Sequence, residues 1–257
     1  MFADLAFFSF VQLTDPSRHR AYNEWHQLDH RPENLALPGV AWGDRWGRRG
    51  DLKEHGSADT EFAGVDYAAM YWFRAPVEDS VAAWDRLGED SFQWGRGPII
   101  PGVTRPLLGF FHPVAGYAAK RIGVGPDVVP FRPNRGIHLT LASFDDHHGL
   151  DAHEHFRWED QELIPALIEQ GGVAGAWTFS FSHSQQHSSL PVAGDASLAP
   201  RSLRIRLLYL DGDPVATAAS IAQVTAACAE EAAPAAIAAG RTLLSGPLST
   251  IIPWQDW

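Results

Sequence analysis

The stretch YNEWHQLDHRPENLALPGV, residues 22–40, has an echo in HFRWEDQELIPALIEQGGV, residues 155–173. Trp25, Pro32 and Gly39-Val40 stand against Trp158, Pro165 and Gly172-Val173, each pair 133 residues apart without a gap. Similarity at a fixed internal offset marks a duplicated structural unit. The order of elements around the two stretches repeats as well. In the first half, LAFFSFVQL at Leu5–Leu13 reads as a buried strand. Asp15-Pro16-Ser17 then supplies capping oxygens and an early proline for a helix over 18–35, stopped by Leu37-Pro38-Gly39. A strand over 40–48, a polar loop to Thr60, a strand over 66–74, a helix over 77–94 and a strand over 105–114 complete β-α-β-β-α-β, the ferredoxin-like order.

The second half predicts the same series. Strand 136–144 is followed by helix 150–169, strand 172–182 and a Ser/Gly/Pro-rich loop to Pro200. Strand 202–210 alternates charged and apolar side chains, as a half-exposed strand does. A helix over 214–239 and a strand over 241–252 end the chain, and Pro126, Pro130 and Pro133 mark the join between halves as a linker. The sequence therefore predicts an α+β chain of two tandem ferredoxin-like units, 1–118 and 136–257, separated by a linker at 119–135. A sheet with helices on one face must cover the other, and the second copy is the simplest cover. The units are expected to pack sheet to sheet as an intrachain barrel.

Composition narrows the function classes. Lys and Arg number 20 against 31 Asp and Glu, a formal charge of −11, which disfavours nucleic acid and anionic membrane surfaces as partners. The single cysteine, Cys228, excludes an internal disulfide framework and a multi-thiolate metal site, and suits a cytoplasmic protein. The apolar start, 1–13, has no basic region before it and reads as a strand, not a signal peptide. No apolar run is long enough to span a bilayer. Ten Trp, 14 Phe and five Tyr suit aromatic-lined cavities, so the expected partner is a small hydrophobic or aromatic molecule. A homodimer is left open, because duplication satisfies the sheet face and leaves other surfaces free.

The segment from Tyr22 through Trp25, His30 and Pro32 to Pro38-Gly39 resembles the first helix and second strand of dimeric α/β-barrel proteins. Within them it is most similar to the EthD-like branch, with an aromatic, a Trp, a His five residues on, a Pro and then a Pro-Gly. The resemblance implies a sheet-and-helix pocket in which an apolar substrate meets one proton-moving histidine without a cofactor. Lyases, isomerases, cyclases, monooxygenases and haem proteins all use this architecture. The second copy departs from the motif, with Leu163 at the position of His30 and His155 at that of Tyr22.

His30 is accordingly the expected acid or base, with Tyr22 and His26 beside it as catalytic candidates. An imidazole titrates near neutrality, and a place toward a helix C-terminus would raise its pKa further. Trp25, Trp46, Tyr71 and Arg45 are the expected substrate-binding residues. Trp42 and Trp46 share one strand face that Tyr71 could join, while Arg45 points to the other and could hold a carboxylate. No metal is expected. The Asp145–His155 region is rich in possible ligands, but His153 and His155 open a helix and diverge by about 200° there. His138 interrupts an apolar strand and reads as a core histidine. The alternatives are a haem-binding enzyme, through His155 or His183, and a non-catalytic hydrophobic-ligand-binding protein.

Overall fold

The computed structural model describes residues 2–96, 100–185 and 202–255. The first unit runs β1 (Leu5–Leu13), α1 (His19–Trp25), α2 (Arg31–Leu35), β2 (Val40–Gly47), β3 (Ser57–Ala58), β4 (Tyr67–Phe73), α3 (Val77–Gln93) and β5 (Val103–Ala118). The second runs β6 (Gly136–Phe144), α4 (Leu150–Trp158), α5 (Ile164–Ile168), β7 (Val173–Ser184), β8 (Leu203–Leu210), α6 (Pro214–Glu231), α7 (Pro234–Ala238) and β9 (Gly240–Thr250).

The repeat extends to a local defect. A π-helical turn, His26–His30, joins α1 to α2, and another, Glu159–Leu163, joins α4 to α5 at the same offset. The cause is in the shared prolines. Pro32 and Pro165 bring no N–H, and their rings crowd the carbonyl four residues back. Widening the preceding turn relieves that crowding, so the N–H of Arg31 reaches back to the carbonyl of His26.

The strands form one sheet in the order β2-β4-β1-β5-β7-β8-β6-β9-β3, closed by pairing of β2 with β9. Each unit thus contributes its second, third, first and fourth main strands in that order, and the fold is α+β, an intrachain dimeric α/β barrel. The two closures differ in length. β5 pairs with β7 from Gly109↔Ser184 to Ala118↔Gly175. β9 meets β2 only at Trp46↔Thr250 and Gly47↔Ser249, and β3 covers more of its edge at Ser57↔Ser245 and Ala58↔Leu244.

Side chains fill the barrel. Phe8, Phe10, Trp72, Phe111, Trp177 and Tyr209 belong to one buried cluster drawn from both units. Residues of opposite parity face the helices: Phe7, Tyr71, Phe73 and Phe110 with Trp84 in the first unit, Leu208 and Leu210 with Leu163 and Leu167 in the second. The apolar layers between barrel and helices are where cavities remain.

Three expectations change. β8 is buried along its whole length, not half-exposed, because Arg204 and Arg206 pair with Glu159 beneath the helices. The helix expected over 214–239 breaks between α6 and α7, where Pro234 cannot continue the hydrogen-bond ladder. The 119–135 join is folded, not a simple tether: two 3-10 turns, Lys120–Ile122 and Pro126–Phe131, pack on the barrel, and Trp177 Nε1 donates to the Pro126 carbonyl at 3.1 Å. The loop read as ending at Pro200 falls largely outside the described residues. Among those described, no helix is long and apolar enough to cross a membrane.

Candidate active site

A cavity of about 850 Å³ opens between the first unit's helices and the outer face of β1, β4 and β5. Tyr22, His26 and His30 follow one another at four-residue spacing along the helix and all line it, with Trp25 and Tyr71. The π turn carries both histidines into this wall. His30 stacks on Trp25, centroids 4.7 Å apart, and meets His26 and Tyr71 edge-on at 5.2 and 6.2 Å. Tyr71 reaches the helix side over a bare backbone: a Cβ on Gly43 would lie 2.2 Å from its ring.

Asn34 sets the chemistry of His30. Its Nδ2 lies 2.5 Å from the carbonyl oxygen of His30, which can only accept, so that atom is the amide nitrogen. The same nitrogen lies 3.2 Å from His30 Nδ1, which must therefore accept. The neutral ring then carries its proton on Nε2. The helix continues to Leu35, so His30 lies in its interior, without the C-terminal dipole expected of it. Burial, the charge of Arg105 and that of Arg45 push its pKa down to about 3, the reverse of the expected shift. His26, also buried, is held well below the ordinary range by burial and Arg45, and its Nδ1 has no hydrogen-bond partner.

Two of the expected binding residues lie elsewhere. Trp46 points into the barrel, donates from Nε1 to Asn134 Oδ1 at 3.0 Å and sits edge-on to Tyr209. Trp42 packs against the same cluster, so Tyr71, on the opposite face, does not join them. Arg45 does face the helices but lies behind the cavity wall. Its guanidinium is sandwiched between Tyr67 at 4.0 Å and Tyr22 at 4.7 Å, and Nη2 donates to Asn23 Oδ1 at 2.6 Å.

The sequence reading missed Asn34, Arg105 and the rim. Asn34 stands four residues after His30, a spacing that puts the two on one helix face. Arg105 shares its parity with Leu107, which faces the barrel interior. Pairing of β1 with β5 slips between Phe10↔Leu107 and Gln12↔Thr104, so Arg105-Pro106 oppose Val11 alone. This bulge turns Arg105 onto the helix face, and Pro106 is its signal in the sequence. At the rim, Arg96 binds Asp29 and Glu33, ties α3 to the first helix and accepts Trp25 Nε1 on its carbonyl.

The second unit has a matching cavity of about 690 Å³ with different chemistry. His155, Glu159 and Leu163 replace Tyr22, His26 and His30 along the helix. Glu159 accepts from Arg204 Nε at 2.6 Å and Arg206 Nη1 at 3.0 Å. Burial opposes its ionisation, but the two guanidiniums prevail and hold its pKa below the usual carboxylate value. His155 donates from Nδ1 to the Ala236 carbonyl at 2.7 Å. His138 is buried beside neither cavity, and His183 is exposed and stacked on Phe110.

No family model and no curated protein matches the sequence. Solved structures do resemble the fold. A candidate monooxygenase from Fusobacterium nucleatum superposes with a TM-score of 0.51 at 9% identity, covering 98% of this chain and 94% of that one. A candidate chlorite dismutase gives 0.49 at 12% identity, over 96% of each chain, and an anthrone oxidase-like protein 0.47 at 10%, over 99% and 95%. At these identities the likeness is one of fold.

Proposed function

We propose that the protein is a cofactor-independent enzyme of the EthD-like kind, acting on a small aromatic or polycyclic compound by a lyase, isomerase, cyclase or dehydratase step. The observation that carries this reading is the His30–Asn34 pair in an aromatic cavity. A neutral imidazole with its proton on Nε2 is a hydrogen-bond donor, suited to an oxygen that gains negative charge as a neighbouring proton leaves. Trp25, Tyr71 and Trp84 offer flat surface for the ring system, and Tyr22 and His26 complete the wall. Proton acceptors on that wall are the carboxylates of Glu33 and Asp85.

The test is turnover against a panel of hydroxyaryl ketones, aryl lactones and polycyclic phenols, followed by chromatography and mass spectrometry. His30→Ala is expected to lower kcat/KM by about 100-fold or more, the usual effect of losing one preorganised donor, and His30→Gln, which can still donate, by less. Full activity in folded His30→Ala removes the assignment. Tight binding without conversion across the panel favours a non-catalytic ligand-binding protein.

One observation favours a second reading. With Nδ1–H held by the Ala236 carbonyl, His155 keeps an unprotonated Nε2, the state in which an imidazole could hold a haem iron. Bound haem would supply redox chemistry, while Arg204 and Arg206, on the same wall, are already engaged by Glu159. This makes it the weaker reading. Haem addition that yields no Soret band, or one unchanged in His155→Ala, discards it.

A further inference from the structure

The two cavities differ most in how their buried charges are balanced. In the second, Arg204 and Arg206 share the carboxylate of Glu159. In the first, Arg105 is 5% exposed, its Nη1 has no hydrogen-bond partner, and among the described residues no carboxylate forms an ion pair with it. An unpaired buried cation is expensive to keep, yet the β5 bulge turns this one toward the cavity. Neither acidic group on the same wall forms an ion pair with it. Glu33 is bound by Arg96 and Ser91 Oγ, and Asp85 accepts from Gln185 Nε2 at 3.4 Å. Among the other buried polar atoms of this wall without a partner, Gln185 Oε1 accepts and Trp84 Nε1 donates. Tyr71 Oη is buried without a partner, and Asn34 leaves the His30 proton on Nε2.

We infer that the first-unit cavity selects aromatic molecules bearing an anionic oxygen, a carboxylate or an ionised phenol, and that Arg105 is the residue that pairs with it. The inference rests on the reading of this cavity as the substrate site and names the class of substrate. Trp25 and Trp84 would take the flat body while the guanidinium neutralises the head. The ligand thereby supplies the countercharge that the chain provides through Glu159 in the other unit.

The probes are 2-naphthoate, the neutral isostere 2-naphthamide, and a naphthol acidic enough to ionise at pH 7.5. Binding is followed by calorimetry and by quenching of cavity tryptophan emission. The wild-type protein is expected to bind 2-naphthoate at least 10-fold more tightly than 2-naphthamide. In Arg105→Gln that ratio should fall to within about 3-fold with the naphthamide affinity little changed, and Arg105→Lys, which keeps the charge, should retain part of it. Should Arg105→Gln fail to fold, the wild-type ratio and its fall with Arg105→Lys in rising salt decide the matter. Equal affinity for acid and amide in the wild type, binding of neither, or a preference that survives Arg105→Gln overturns the inference. The naphthol arm tells which oxygen anion is preferred. Charge selectivity is read from binding alone, so its absence in the wild-type protein would overturn the inference without bearing on the role of His30, and a catalytically silent protein can still show it.

Discussion

Lowering the pH to 5 should weaken the fold through two buried histidines, His30 and His138. Both are held neutral, with pKa values pushed down to about 3 by burial first, then by Arg105 and Arg45 for His30 and by Arg206 for His138. In the unfolded chain each returns to about 6.5. A folded pKa below the unfolded one means that the unfolded state binds more protons, so stability falls as pH drops through 6.5 and the loss is complete near pH 3. At pH 5 the unfolded ring is almost fully protonated and the folded ring almost fully neutral. At 1.36 kcal/mol per unit the penalty is about 2 kcal/mol for each histidine and about 4 for both, a large share of an ordinary domain's stability. Urea unfolding at pH 7.5 and 5.0 measures it. The difference in unfolding free energy between the two pH values should shrink by about 2 kcal/mol in His30→Gln or His138→Gln and by about 4 in the double variant. Carboxylates contribute equally to parent and variants and cancel. Single variants with the parent's pH dependence would refute the reasoning, as would ring resonances of either histidine that titrate above pH 6.

Glu159→Gln should lower stability by about 3–5 kcal/mol at neutral pH, because it leaves buried Arg206 without a carboxylate and Arg204 with Asp160 alone at 3.3 Å, and chemical denaturation should show it. Gly43→Ala sets a methyl group 2.2 Å from Tyr71 Cδ1, so the ring must move toward the cavity. A loss of about 1–3 kcal/mol, visible in thermal melts, should accompany weaker binding of flat aromatic probes.

Much of the fold is legible in the sequence because periodicity and breakers are local. The strand at Gly136–Phe144 matches its expected bounds, and α3 departs from its expected end by one residue. β8 misled because alternation reports polarity, not exposure: Arg204 and Arg206 are polar and buried, and the carboxylate that permits this lies on a helix 45 residues earlier in the chain. Strand parity shows that Trp42 and Trp46 share a face, but not which face meets the helices, and Trp46 faces the barrel interior.

From the chain alone came the duplication, the helix that carries Tyr22, His26 and His30, and the loss of the last of these in the second copy. Those features reside in spacing, which survives without knowledge of what packs on what. Tertiary structure alone decided that His30 is a neutral donor and that Arg105 faces the cavity. A proton's position and a side chain's direction depend on desolvation, on an amide one turn away and on a slipped register between strands, none of which a linear pattern records.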